Sequence, residues 1–95
     1  MPAYVLVKVN APDPEKLKPY QEAAPIAVKK YNGKILVRGG EVASLEGQEE
    51  TRRVVMLEFE TMKDAKAFYH SEEYQKAVQL REGVADFEII AIDGV

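Results

Sequence analysis

Val54-Val55-Met56-Leu57-Glu58-Phe59 is apolar at five of its six positions. A strand with one face in water alternates apolar and polar residues, whereas a near-continuous run marks a strand covered on both faces. The same pattern recurs in Tyr4–Val9, Ile35–Val37 and Phe87–Ile92, yet the chain holds only two helical regions. Two helices cover one face of a sheet. The other face needs a partner, and the simplest is a second copy of the chain, packed self-complementarily about a two-fold axis.

Upstream of this run, Lys34–Leu45 reads as a strand that forms a hairpin with Arg52–Glu60 across the polar turn Glu46–Thr51. Gly39-Gly40 in its middle signals a bulge, a bend or a close approach by another group. Downstream, Thr61 is a helix N-cap with Asp64 as its capping-box partner, and Ala65, Phe68 and Tyr69 form an apolar stripe. Ser71 is a second N-cap, with Glu72 and Glu73 at the positive end of a new helix. Tyr74, Ala77, Val78 and Leu80 continue the stripe as far as Gly83. Ala3–Asn10 and Asp86–Asp93 are the first and last strands. After the first, Asp13-Pro14-Glu15 opens a helix, followed by Leu17, Tyr20, Ala24, Ala27, Val28 and Tyr31 at helical spacing. Pro19 and Pro25 each remove a backbone donor, so this helix is expected to be kinked or broken. It ends at Asn32-Gly33, a left-handed C-cap signal. The order β-α-β-β-α-β predicts an α+β, ferredoxin-like arrangement, with residues 1–95 forming one domain.

At 95 residues the chain can fold alone but gains from an oligomer interface. A net charge of -3 with scattered Lys and Arg offers no basic footprint for nucleic acid. There is no cysteine, which excludes a disulfide framework, a thiolate nucleophile and a zinc knuckle. The single histidine makes a zinc site unexpected, and the acidic hairpin tip lacks the alternating oxygen ligands of a calcium loop. No metal is expected. Neither the phosphate-loop nor the dinucleotide fingerprint occurs, so no cofactor is expected either. Ser44 and Ser71 are the only serines, and neither sits in a nucleophile elbow. Met1-Pro2-Ala3-Tyr4 does not open like a signal peptide, and no run reaches the ~18 apolar residues of a membrane span. The expectation is a cytoplasmic protein without a membrane partner.

With these segments placed, the whole chain resembles the short bacterial proteins grouped as domain of unknown function thirteen-thirty, within the dimeric α+β barrel superfamily. The resemblance rests on Met1-Pro2-Ala3-Tyr4, Asp13-Pro14-Glu15, and Tyr31-Asn32-Gly33-Lys34 running into Val37-Arg38-Gly39-Gly40-Glu41-Val42. Leu45-Glu46-Gly47, Leu57-Glu58-Phe59 and Phe68-Tyr69-His70-Ser71-Glu72-Glu73-Tyr74-Gln75 complete it. The Arg-Gly-Gly segment followed by Leu-Glu-Gly is its more specific part. The resemblance implies the fold and a homodimer, and no established activity. The wider superfamily includes cofactor-free monooxygenases, lactone isomerases and haem-handling enzymes, but a shared fold does not carry chemistry.

Arg38 stands between Ile35-Leu36-Val37 and two glycines, in or beside a buried strand. A buried guanidinium needs a carboxylate or an anionic ligand. Glu58, between Leu57 and Phe59, is the matching carboxylate in the hairpin partner. The two would line a pocket where Gly39 and Gly40 leave room for a ligand, or form a structural ion pair. His70, at the helix break beside Tyr69 and Ser71, is a candidate general base or haem ligand, or simply a helix C-terminal residue that favours the dipole. Tyr20, Tyr31, Tyr69 and Tyr74 pack a core or line an aromatic-binding cavity. Glu46, Glu49 and Glu50 beside Arg52 and Arg53 read as a solvated hairpin tip.

Two functions follow as expectations. One is a binding protein for a small apolar or aromatic molecule, in a cavity between sheet and helices or at the dimer seam, with Arg38 holding an anionic group and Tyr31 and Tyr69 on the wall. The other is a cofactor-free enzyme of the monooxygenase or isomerase type, with His70 or Glu58 abstracting a proton. A dimer with a purely structural role is the third possibility.

Overall fold

The computed structural model describes residues 1–95. Strand β1 (Ala3–Asn10) leads through a 3-10 turn (Pro14–Leu17) into helix α1 (Lys18–Lys30). Strands β2 (Lys34–Arg38) and β3 (Arg53–Phe59) follow, then α2 (Met62–His70), α3 (Glu72–Gln79) and β4 (Asp86–Asp93). The strands form one sheet in the order β2-β3-β1-β4, every neighbouring pair antiparallel. This is the ferredoxin-like α+β fold that the element order predicts. No helix is long and apolar enough to cross a membrane.

β1 is the central ruler. Ala3, Val5, Val7 and Val9 are buried under the helices, while Tyr4, Leu6 and Lys8 between them are only partly covered. Register carries this alternation outward: Val5 lies opposite Leu57 and Ala91, Leu6 opposite Met56 and Ile90. The helix side closes on Leu17, Ala27 and Val28 from the first crossover and on Ala65, Phe68, Tyr74 and Ala77 from the second. The far side presents Tyr4, Leu6, Met56, Ile90 and Ile92 with no helix over them, and both isoleucines are about half exposed.

Local chemistry sets the boundaries of α2 and α3. Thr61 accepts a hydrogen bond from the Asp64 amide, and Ser71 Oγ accepts one from the Tyr74 amide, both at 3.1 Å. The Ser71 hydroxyl also donates to the Phe68 carbonyl, so one buried side chain ends α2 and starts α3. At the end of α1, Asn32 takes φ 60° and the Gly33 amide donates to the Val28 carbonyl, the left-handed cap expected there.

Two expectations are corrected. Of the two outcomes expected for the first helix, kinked or broken, the second is excluded: α1 is not broken at its prolines. Pro19 falls in the first turn, where its missing donor has no helical partner to lose, and the helix continues through Pro25. The consequence at Pro25 is one absent rung: the Gln21 carbonyl lacks its usual donor four residues on. Nor does β2 reach Leu45. Ile35 faces Leu57, yet Val37, two residues later, faces Met56, one residue along. Leu36 is the extra residue of a bulge, and Gly39 then turns away at φ 66°. Residues 40–50 leave the sheet.

Candidate functional site

The bulge decides which side chains meet. Without it, strict alternation from Ile35 would put Val37 under the helices and Arg38 on the uncovered face. The inserted Leu36 reverses the phase, so Val37 pairs with Met56 on the uncovered face and Arg38 with Val55 on the helix side. Arg53 lies two residues before Val55 on the same face of β3. Gly39 makes room for it: a β-carbon there would come within 2.5 Å of Arg53 Nε. The glycine therefore accommodates the second arginine.

Between α1 and the sheet these residues border a cavity of about 140 Å³. Val5, Val7, Val9, Val55 and Leu57 form its sheet wall, and Leu17, Ala24, Pro25 and Val28 its helix wall. Phe68, Phe87, Tyr20 and Tyr74 close it with aromatic surface. Arg38, Arg53 and Gln21 also line it and are exposed, so they mark its rim. Neither Arg38 nor Arg53 enters an ion pair. The arrangement is an apolar chamber with two unpaired guanidinium groups at its mouth.

Polar atoms inside it are few. The Tyr20 and Tyr74 hydroxyls are hydrogen-bonded to each other at 2.5 Å. Burial, reinforced by Tyr74, holds the Tyr20 phenol well above its ordinary pKa. Arg81 stacks on Phe87, its Cζ 3.7 Å from the ring centroid, and lies 5.3 Å from that of Tyr20.

The other sequence candidates are dispersed. Glu58 is on the uncovered face, opposite Tyr4 and Lys34, and has no ion-pair partner. Register thus overturns the expected Arg38–Glu58 pairing: they occupy opposite faces. Arg38 is exposed, so the expectation of a buried guanidinium is corrected too. Gly40 has open space around it. Tyr69 and His70, edge to face at 5.2 Å, line a neighbouring cavity with Lys66 and Arg81, beside β4. Val5, Phe68, Phe87 and Ile89 form a wall common to both cavities. Tyr31 caps α1 and packs on the core.

Sequence reasoning missed Arg53 as a lining residue, although it is in phase with Leu57 and Phe59 along β3. It also grouped Arg52 with the solvated hairpin tip. Arg52 instead joins Glu50 and Glu88 at 2.8 Å each, and Lys8 joins Glu50 at 3.1 Å, in a network at one end of the uncovered face.

Residues 2–95 match the sequence profile of a family described as domain of unknown function (DUF1330). No curated protein matches the chain. Among solved structures, a protein of unknown function from Rhodopseudomonas palustris superposes with a TM-score of 0.75 at 20% identity, over 99% of this chain and 82% of that one. A dimeric protein of unknown function and ferredoxin-like fold from Bacteroides fragilis gives 0.65 at 16% identity, over 98% and 96%. SnoaB, a cofactor-independent oxygenase from Streptomyces nogalater, gives 0.69 at 5% identity, over 99% and 93%. At these identities the similarity is one of fold.

Proposed function

The chain belongs to the DUF1330 family, and we propose that it is a homodimeric binding protein for a small apolar or aromatic molecule carrying an anionic group. One observation carries the reading: an apolar chamber whose rim holds Arg38 and Arg53 with no carboxylate to neutralise them. Two guanidinium groups over an apolar opening match a ligand with a hydrophobic body and a carboxylate head. Its size points to a single ring, since an engineered apolar cavity of about 150 Å³ takes up benzene. The proposed homodimer places the uncovered apolar face of the sheet against its copy, and the dimeric Bacteroides fragilis neighbour supports it.

The cofactor-free enzyme reading is less well supported. It needs a base facing the substrate, but Glu58 is on the far side of the sheet and His70 lines the neighbouring cavity. Benzoate is a suitable probe. Titrated into isotope-labelled protein, it should shift the amide resonances of residues around the cavity. The Arg38→Ala/Arg53→Ala double variant should bind it at least about tenfold more weakly, the loss expected when a charge-assisted contact disappears. Unchanged affinity in the double variant, or no shifts at millimolar benzoate, would refute the proposal.

A further inference from the structure

Tyr20 and Tyr74 present an imbalance of protons. Both are more than nine-tenths buried, at 9% and 2% exposure, and both line the cavity. Each hydroxyl carries one proton and can accept as well. A single hydrogen bond joins them, and it uses one of the two protons. Neither hydroxyl donates to any other protein acceptor. One buried O–H is thus left without a partner in an otherwise apolar chamber, where an unmet donor is costly.

Either hydroxyl can donate in that bond, so the free proton belongs to whichever of the two accepts. Burial keeps the Tyr20 phenol protonated, so the arrangement does not collapse into a shared negative charge.

We propose that the Tyr20–Tyr74 hydroxyl pair is the polar recognition element of the cavity, its free proton donated to a hydrogen-bond acceptor on the ring of a bound aromatic carboxylate whose anionic group meets Arg38 and Arg53. This rests on the ligand-binding reading of the same cavity and narrows its substrate class. The ligand is a ring with an anion at one end and a carbonyl-, nitrile- or ether-type acceptor elsewhere. Purely hydrocarbon substituents leave that proton unmet and bind less well.

Shape and acceptor strength can be separated with matched probes. 4-Cyanobenzoate and 4-ethynylbenzoate have nearly the same outline, but only the nitrile accepts a hydrogen bond; the 3-substituted pair covers the other orientation. In one isomer or the other the nitrile should bind at least about threefold more tightly, the lower range for a neutral hydrogen bond. That advantage should vanish in Tyr20→Phe/Tyr74→Phe, which removes both hydroxyls. The bound nitrile stretch in the unsubstituted protein should lie above its position in an aprotic solvent, the signature of a donated hydrogen bond; this readout needs no variant to fold. Equal binding of nitrile and alkyne in both isomers, a nitrile advantage that survives in the double variant, or an unshifted stretch would each overturn the inference while leaving the anion-binding reading standing. Failure of all four probes and of benzoate to bind would sink that reading and the inference together.

Discussion

Filling the cavity should stabilise the protein and abolish binding in one step. Ala24 stands on the helix wall and is only partly buried. At about 24 cal/mol per Å³, leaving about 140 Å³ unfilled costs on the order of 3 kcal/mol. Ala24→Leu adds three carbons, with a ceiling of about 2.4 kcal/mol at ~0.8 kcal/mol per buried methylene. Ordering the leucine returns about 0.5–1 kcal/mol. The net gain is about 1–2 kcal/mol, a rise in melting temperature of roughly 5–10 °C for a domain of this size. Guanidinium melts read the stability, and a benzoate titration reads the site. A loss of about 1–3 kcal/mol, the signature of overpacking, would mean the space is not available to a side chain. A gain in stability with benzoate affinity unchanged would place the ligand elsewhere and refute the assignment of the chamber.

Three further expectations concern the charge network, the shared cap and the uncovered face. Arg52 and Lys8 hold the Glu50 carboxyl at about 2, well below its ordinary 4.5. Because the folded-state value is depressed, its contribution is fully present above about 4.5 and lost as pH falls towards 2. The stability difference between wild type and Glu50→Gln should shrink across that window; a difference that stays constant there would exclude the network as its source. Ser71→Ala removes the shared cap of α2 and α3 and should cost about 1–2 kcal/mol in chemical denaturation, and a cost within error of zero would show the cap to be dispensable. Met56→Glu puts a charge at the centre of the uncovered face, between Leu6 and Val37, and should yield a folded monomer by light scattering at micromolar concentration. An intact dimer in that variant would rule out sheet-to-sheet packing, as would a wild-type monomer.

The parts of this fold legible in the sequence are those written in local chemistry. Thr61 and Ser71 could be assigned as caps because a hydroxyl followed three residues later by a free amide is a local arrangement. The strands could be assigned because unbroken apolar runs such as Val54–Leu57 need cover on two sides. The site was less legible, and the reason is a single residue. Leu36 interrupts the period of two, and nothing in Ile-Leu-Val-Arg distinguishes a bulged strand from a regular one. Placing Arg38 and Glu58 together required a register that sequence does not encode locally. The Tyr20–Tyr74 contact, 54 positions apart, depends on how α1 and α3 settle side by side. Both tyrosines could be identified as inward-facing, but not as bonded to each other.

Pro25 gives the chamber an elastic wall. A helix bends most cheaply where a rung of its ladder is absent, and here that rung is absent beside the cavity. In the proposed binding role, a guest larger than one ring would meet a wall whose missing rung makes Gln21–Pro25 its most easily bent turn. The rigid strands opposite, tied by register on both sides of β1, do not yield. If the chamber binds as proposed, size selection is one-sided: stiff at the sheet, compliant along one turn of α1.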